Sequence, residues 1–413
     1  MKYKEGFSSA LVQKLIESAN GKQVLDPFSG AGTTALTAMG MGLRGTGIEI
    51  LPLGNLIAQS VAHAANGLSH EEFRAVSQKM LHATSKLNCN KQYILKHIPI
   101  TEKAFSSQAD REIANAREFI AKLDNPVLAT VLNLACLSSL EEASYTRKDG
   151  QFLRWDSRSG RNVSAKLDKG EIPDFSTVLA ARLREIEEDF SFLKEHYSGP
   201  NPTLITGSSL TELKKLPDNE YDCVVTSPPY ANRYDYTRTY ALELVYLDYD
   251  DSQVKALRQA LLSATVENRS KRESLLATYQ DAAEIHQVFR AVDEHPALQE
   301  VLSTLREHAE ELSNRNIINL IENYFTEMAL VTYELGRVVM PGGSVFMIND
   351  NVQYHGEEVP VDLILSDFAE QFGFHCNAIW ILARGKGNSS QQMGKFGRKE
   401  IRKCVYHWVK VDG

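Results

Sequence analysis

Two consecutive prolines directly after an apolar run constrain this chain more than any other feature. Residues 222–225 (Asp-Cys-Val-Val) predict a buried strand, and Thr226-Ser227-Pro228-Pro229-Tyr230 follows it. Neither proline has an N–H group and each fixes its own φ, so strand pairing has to end there. The carbonyls of Ser227 and Pro228 are then left without strand partners. Because ligands of open α/β sheets bind at the carboxyl ends of strands, we expect these carbonyls and the Tyr230 ring to hold a planar group that carries an amino substituent.

A glycine-rich turn near the amino terminus predicts a second ligand site. Residues 26–34 (Asp-Pro-Phe-Ser-Gly-Ala-Gly-Thr-Thr) lead from a short buried strand at 23–26 into a helix that begins at Thr33. Glycines at such a turn let the backbone pass close to a ligand at the helix N-terminus. The dinucleotide fingerprint G-x-G-x-x-G is incomplete, since Ala35 replaces its third glycine. Glu49 ends the next strand, where an acidic side chain can accept hydrogen bonds from two ribose hydroxyls; a solvent-exposed carboxylate is the alternative.

Strands and helices alternate around both sites and predict an α/β fold with a Rossmann-like, mainly parallel sheet. We predict strands at 23–26, 45–50, 203–206, 221–226, 343–348, 375–383 and 404–411. Mainly helical stretches separate the core segments, and an irregular segment at 145–175 interrupts the first of them. The predicted organisation is a core at 1–66, 200–247 and 315–413, with mainly helical insertions at 67–199 and 248–314.

Composition excludes several classes of protein. No apolar run approaches the roughly 18 residues of a membrane span, and the amino terminus lacks an apolar signal core, so we expect a cytoplasmic protein without membrane contact. The 5 cysteines form no C-x-x-C pair, which argues against a disulfide framework or a cysteine zinc site. The histidines show no ligand spacing, and we predict no metal. The net charge of −8 decides nothing about partners.

The two motifs together resemble those of the S-adenosylmethionine-dependent DNA amino-methyltransferases, of the cytosine-N4 and adenine-N6 type. The resemblance rests on D-P-F-x-G-x-G-T and T-S-P-P-Y and covers residues 3–64, 203–239 and 314–411. It implies a class I methyltransferase sheet that binds S-adenosylmethionine and double-stranded DNA. It also implies that the exocyclic amino group of a flipped base is held by the catalytic residues Ser227, Pro228, Pro229 and Tyr230.

The same resemblance implies which residues bind the cofactor. Asp26, Pro27, Phe28, Gly30, Gly32 and Thr33 would line its methionine and adenosine parts, and Glu49 its ribose. Phe7 and Ser8 match a leading motif that reaches the methionine carboxylate, although a hydrophobic staple and a helix cap explain them equally well. Ser208 stands where many members have an aspartate that meets the adenine amino group; a helix cap is again the alternative.

Serine at the first position of S-P-P-Y usually accompanies cytosine in this family, so we expect methylation at N4 of cytosine. Adenine-N6 methylation, an RNA substrate and a catalytically silent nucleic-acid-binding protein remain alternatives. A nicotinamide-dependent oxidoreductase is disfavoured by the missing third glycine. Family habit suggests a companion restriction endonuclease.

Three groups of cations are candidates for DNA contact, because lysine and arginine bind phosphates. Arg233 and Arg238 follow the diproline motif. Arg147, Lys148 and Arg154 belong to a predicted hairpin with Asp149-Gly150 at its turn. Lys395, Arg398 and Lys399 belong to a long basic loop between the last two strands. Each group has the alternative of being ordinary surface charge.

Overall fold

Strands and helices alternate at the amino end of the chain and again around the diproline motif, with helical segments between. The computed structural model describes residues 6–150, 152–162, 166–382 and 401–411. The strands in these ranges are β1 (Gln23–Asp26), β2 (Arg44–Glu49), β3 (Thr146–Asp149), β4 (Phe152–Asp156), β5 (Lys166–Leu167), β6 (Thr203–Thr206), β7 (Tyr221–Thr226), β8 (Val339–Asp350), β9 (Val352–Tyr354), β10 (Glu357–Val359), β11 (Phe374–Ile381) and β12 (Lys403–Lys410).

The α-helices surround these strands and carry most of the remaining residues. They are α1 (Ser9–Ala19), α2 (Thr33–Gly40), α3 (Pro52–Asn66), α4 (His70–Thr84), α5 (Ser107–Ala121), α6 (Pro126–Ala143), α7 (Phe175–His196), α8 (Ser209–Glu212), α9 (Tyr236–Thr239), α10 (Ala241–Tyr246), α11 (Asp251–Ala260), α12 (Arg272–Thr278), α13 (Ala283–Asp293), α14 (Pro296–Glu307), α15 (Ile317–Val338) and α16 (Val361–Gln371). Within the described residues, no helix has both the length and the apolarity needed to cross a membrane.

A mainly parallel sheet forms the centre of the protein and confirms the α/β prediction. Among the described residues its strand order is β11-β12-β8-β7-β1-β2-β6. β1 pairs in parallel with β2 on one side and with β7 on the other, and β12 runs antiparallel to its neighbours β8 and β11. The chain extends the sheet from β1 in one direction and later returns to its other side with β7. A switch point therefore lies between β1 and β7, where such sheets bind ligands.

The central strands carry apolar side chains on both faces of the sheet, and both faces are buried. Cys223 and Val225 of β7 pack with Val12 of α1 on one face. Val224 points to the other face, where it joins a cluster with Met328 of α15. Because successive strand residues point to opposite faces, an uninterrupted apolar run is what a strand covered on both sides requires.

The two segments predicted as insertions pack onto this core through shared apolar clusters. In the first segment, Leu132 and Phe175 belong to one cluster with Leu53 of α3. In the second, residues of α13 and α14 such as Val288 belong to the same cluster as Met347 of β8. The first segment thus packs on a helix of the core and the second packs against the sheet, and the predicted boundaries between core and insertions remain predictions.

Of two hairpins among the described residues, the sequence analysis predicted one and missed the other. The predicted hairpin is present as β3 and β4, in which Asp149 pairs with Phe152 and Gly150 has a φ of 55°. The hairpin of β9 and β10 was not predicted. Its turn holds His355 and Gly356, with φ values of 52° and 82°, and this requirement for two positive φ angles is usually met by Asn-Gly.

Candidate active site

The carboxyl ends of β1, β2 and β7 border a cleft of about 280 Å³. Residues predicted to bind a cofactor or to act in catalysis form much of its wall. They are Phe7, Pro27, Phe28, Gly30, Thr33, Glu49, Ser208, Ser227 and Pro229. The two motifs, about 200 residues apart in the chain, therefore open into one cavity.

Three residues assigned to the cofactor do not line this cleft. Ser8 precedes α1 and accepts the N–H groups of Leu11 and Val12 through its carbonyl, without a side-chain cap. Asp26 lies fully buried behind the wall. Gly32 has a φ of 84°, and a Cβ there would lie 2.6 Å from the Cβ of Ala58, so Gly32 allows α2 and α3 to approach each other.

Other lining residues were missed by the sequence analysis. They are Gly6, Ser29, Ala31, Ile48, Ile50, Leu51, Ser209, Leu210, Tyr236, Leu261 and Leu262. Those beside the motifs could have been inferred from adjacency to the strand ends. Leu261 and Leu262 come from the second predicted insertion, and no local pattern marks them, because only tertiary packing brings them to the cleft.

Glu49 faces the cleft with its carboxylate held in place by backbone donors. Its Oε2 accepts the N–H of Gly30 at 2.7 Å, and its Oε1 accepts the N–H of Leu51 at 2.7 Å. Burial raises the pKa of Glu49 to about 7, and the nearby Asp26 adds to the rise. Each carboxylate oxygen has a second lone pair, so Glu49 can accept further hydrogen bonds from a ligand.

Asp26 joins the two motifs to each other. Its Oδ1 accepts the hydroxyl of Thr226 at 2.7 Å and the N–H of Phe28 at 3.0 Å. Its Oδ2 is buried without a hydrogen-bond partner among the described residues, and burial raises the pKa of Asp26 to about 6. Asp26 therefore fixes the end of β7 against the glycine-rich turn.

The two serines after β6 also support the cleft. Ser209 donates its hydroxyl to the carbonyl of Pro27. Ser208 lines the cleft and donates to the carbonyl of Ala260 at 3.2 Å. The Ser208 hydroxyl keeps acceptor capacity toward the cleft, because a hydroxyl donates once and accepts twice.

The diproline turn separates the cleft from a second, much smaller pocket. In the described part of the chain, no backbone hydrogen bond ends on the carbonyl of Ser227 or Pro228. Ser227 contributes to both cavities, and its hydroxyl lies 3.3 Å from that of Tyr230. The turn therefore presents bare acceptors at the boundary between the two cavities.

The small pocket measures about 10 Å³ and is lined by Ser227, Pro228, Tyr230, Asn232, Tyr234 and Tyr236. This volume accommodates about one water molecule, so a nucleobase does not fit in the present conformation. The rings of Tyr234 and Tyr236 belong to its wall, and their centres are 4.7 Å apart. A larger group could enter only if lining side chains such as those of Tyr234 and Tyr236 moved.

The hairpin cations predicted to contact DNA differ in exposure. The Lys148 side chain is only 2% exposed, is paired with the buried Glu243, and lies 4.8 Å from the centre of the Tyr240 ring. The prediction that Lys148 contacts DNA is therefore wrong, because its ammonium group is not accessible to a phosphate. Arg147 is exposed, and Arg154 is 59% exposed while paired with Asp149.

The cations after the diproline motif contact side chains of the second predicted insertion. Arg233 donates to the Ser313 hydroxyl at 3.3 Å. Arg238 forms ion pairs with Asp235 and Glu267. Lys395, Arg398 and Lys399 lie outside the described residues.

One histidine cluster was not visible in the sequence. His308, Glu311 and His355 have ligand atoms within 4.8 Å of one another, a spacing that could hold a cation. Glu311 lies 3.2 Å from Nδ1 of His308 and 3.6 Å from Nε2 of His355. These contacts between the carboxylate and the imidazoles account for the cluster without an ion, and it lies outside the cleft.

Comparison with known proteins identifies the family. No protein-family profile matches the chain. Over 99% of its length it is 40% identical to the type II methyltransferase M.BsoBI of Geobacillus stearothermophilus, of which the alignment covers 85%. It is 41% identical to the type II methyltransferases M.AvaI of a Nostoc species and of Anabaena variabilis, with the same coverage. With this identity across nearly the whole chain, and with both motifs at one cleft, the protein belongs to the type II DNA methyltransferases.

Proposed function

We propose that the protein transfers a methyl group from S-adenosylmethionine to N4 of a flipped cytosine in double-stranded DNA. The observation that carries the proposal is the shared wall made by the diproline turn. Ser227 and Pro229 line the cleft, while Ser227, Pro228 and Tyr230 line the adjoining pocket. A donor in the cleft and a base beside Tyr230 would meet at this wall.

The chemistry of the cleft fits S-adenosylmethionine. Glu49 offers a buried carboxylate suited to two ribose hydroxyls, and Leu210, Leu261 and Leu262 give an apolar wall suited to a flat adenine ring. The cofactor supplies a methyl group activated by the positive sulfur. The protein then mainly has to align the amino nitrogen of the base with this methyl group, because two groups held in the right geometry react as if they belonged to one molecule.

The carbonyls of Ser227 and Pro228 act on the amino group of the base. Its nitrogen is a poor nucleophile, because its lone pair is delocalised into the ring. Hydrogen bonds from both N–H groups to the two carbonyls localise that pair and orient it toward the cleft. The same oxygens stabilise the positive charge that develops on the nitrogen, as an oxyanion hole stabilises negative charge. The charge disappears when the methylated nitrogen gives up one of its protons to solvent. The Tyr230 ring stacks on the base and offsets part of the unstacking cost.

Cytosine is favoured over adenine by Ser227 at the first position of the motif, as in the family's cytosine-N4 members. Adenine-N6 methylation is the second candidate, because the two carbonyls suit either amino group. A catalytically silent nucleic-acid-binding protein would bind cofactor without turnover. We also propose that the protein has a companion restriction endonuclease, because its relatives are named type II methyltransferases. A cytoplasmic location remains a prediction.

Nucleoside analysis tests the proposed reaction. The protein is incubated with duplex DNA and methyl-labelled S-adenosylmethionine, and the DNA is digested to nucleosides and separated by chromatography. We expect label in N4-methylcytosine. Label in N6-methyladenine would contradict the cytosine assignment, and no label at all in DNA would contradict the transfer.

Pro229→Ala tests the role of the diproline turn. Proline fixes the backbone at the wall between the cavities, so we expect turnover to fall by at least about a hundredfold while cofactor affinity is retained. Pro217→Ala, at an exposed site before β7, is the matched control. Equal turnover in the two variants would count against the role of the turn.

A further inference from the structure

A polar groove of about 700 Å³ lies against the segment that follows the diproline motif. One side is formed by residues 266–272, between α11 and α12, and the other by residues 314–323, at the start of α15. The lining side chains with guanidinium or amide groups include Arg269, Arg272, Asn314, Asn319 and Asn323. Guanidinium and amide groups are the side chains that most often read base edges in DNA.

The groove lies on the same edge of the sheet as the cleft. Helix α15 leads directly into β8, which runs parallel to β7. Its N-terminus must therefore lie at the edge where β7 ends. The segment that follows Tyr230 contacts Glu267, on one side of the groove, through Arg238, and Ser313, next to the other side, through Arg233.

Part of the groove is fixed by internal contacts. Arg272 forms two hydrogen bonds with Asp293 and stacks on Phe289, 4.8 Å from its ring centre. The Asn314 side chain accepts the N–H of Asn316 at 2.9 Å. These contacts hold the side chains of Arg272 and Asn314 in place in the wall of the groove.

Three side chains are available to a ligand. Arg269 and Asn319 are exposed, and Asn323 is buried except where it borders the groove. In the described part of the chain, no side-chain hydrogen bond or ion pair ties up Arg269, Asn319 or Asn323. One guanidinium and two amides therefore face an open groove.

The carboxylates of the groove do not oppose an anionic ligand. Glu267 is ion-paired with Arg238 and also with Arg258, at 2.8 Å. Glu322 is paired with Arg306 at 3.4 Å. Because each carboxylate has a cationic partner, the unmatched charge in the groove is the positive charge of Arg269.

We infer that this groove holds the DNA next to the target nucleotide, with Arg269 and Asn319 contacting base edges or phosphates of the flanking positions. The inference rests on the proposed function, since it takes duplex DNA as the substrate. The second predicted insertion thereby contributes to target recognition through the segment between α11 and α12.

The test compares Arg269→Ala, Asn319→Ala and the double variant with the parent protein. Binding is measured by fluorescence anisotropy on a labelled pool of randomised duplexes, and the methylated positions are mapped by sequencing. We expect the double variant to lose about tenfold to a hundredfold in duplex affinity or to accept altered flanking bases. Its affinity for S-adenosylhomocysteine should be unchanged.

Two variants remote from the groove serve as controls. Arg184→Ala lies on α7 and Asn88→Ala lies between α4 and α5, and both side chains are exposed. An equal loss of affinity in these controls, or wild-type affinity and an unchanged methylated sequence in the groove variants, would overturn the inference. Because anisotropy does not depend on the product, a failure of the cytosine assignment leaves this test intact.

Discussion

Glu49 gives the sharpest test of how the cleft binds its cofactor. Its carboxylate accepts the N–H groups of Gly30 and Leu51, and its pKa is raised to about 7 by burial. Ribose hydroxyls that donate to Glu49 stabilise the charged form. Cofactor binding should therefore release a proton when the pH is below 7, and affinity should rise with pH.

The size of this effect follows from the ionised fraction of Glu49. With a pKa of about 7, about 10% of the side chain is charged at pH 6 and about 90% at pH 8. If the charged form alone binds well, the Kd falls about tenfold over this range and levels off above pH 8. Glu49→Gln removes the titrating group, so the Kd of this variant should lack the roughly tenfold fall that ionisation of Glu49 causes between pH 6 and pH 8.

Calorimetric titration with S-adenosylhomocysteine at pH 6, 7 and 8 measures the effect in both proteins. The ligand's own amino group titrates near this range, but it does so equally with either protein, so the ratio of the two Kd values isolates Glu49. Thermal melting checks that the variant is folded. A constant ratio across the three pH values would refute the assignment of Glu49 to the ribose.

Two further predictions concern stability. Lys148→Met leaves the Glu243 carboxylate buried without its cation, since the two side chains are 2% and 1% exposed. We expect the variant to lose about 3–5 kcal/mol in the free energy of unfolding, measured by denaturant titration. A loss below about 1 kcal/mol would contradict this. Gly32→Ala should destabilise more than Gly42→Ala in the same assay. Both glycines have positive φ, but a Cβ at Gly32 meets Ala58 at 2.6 Å while one at Gly42 meets nothing within 4 Å; equal losses would refute the argument.

The central strands could be predicted from the sequence because they are buried on both faces. A continuous apolar run such as residues 222–225 is what a central strand of an α/β fold needs, because both of its faces are covered. The start of β8 was placed too late, at Gly343 instead of Val339. Tyr221 pairs with Val339, and the register shifts before Cys223 pairs with Ser344, so the glycines at 342 and 343 lie inside an irregular part of the strand.

The wrong assignment of Lys148 shows what the sequence does not determine. Strand alternation places Arg147 and Asp149 on the exposed face of β3, and Thr146 and Lys148 on the buried face. The alternation was available from the sequence, but the partner that makes burial of the ammonium group tolerable was not. Glu243 lies 95 residues away, and a buried charge requires such a partner.

The two motifs meet at one cleft because β1 and β7 are neighbours, whatever their separation in the chain. Thr226 bonds Asp26 at 2.7 Å, and the Thr34 hydroxyl bonds the carbonyl of Val225 at 2.9 Å. These bonds tie the end of β7 to both ends of the glycine-rich turn. In the proposed reaction, these buried contacts would set the distance between a methyl donor in the cleft and the acceptors on Ser227, which is the rigidity that in-line transfer needs. In the same proposal, the side chains that would have to move are those of Tyr234 and Tyr236, which line the small pocket and belong to the segment after the turn.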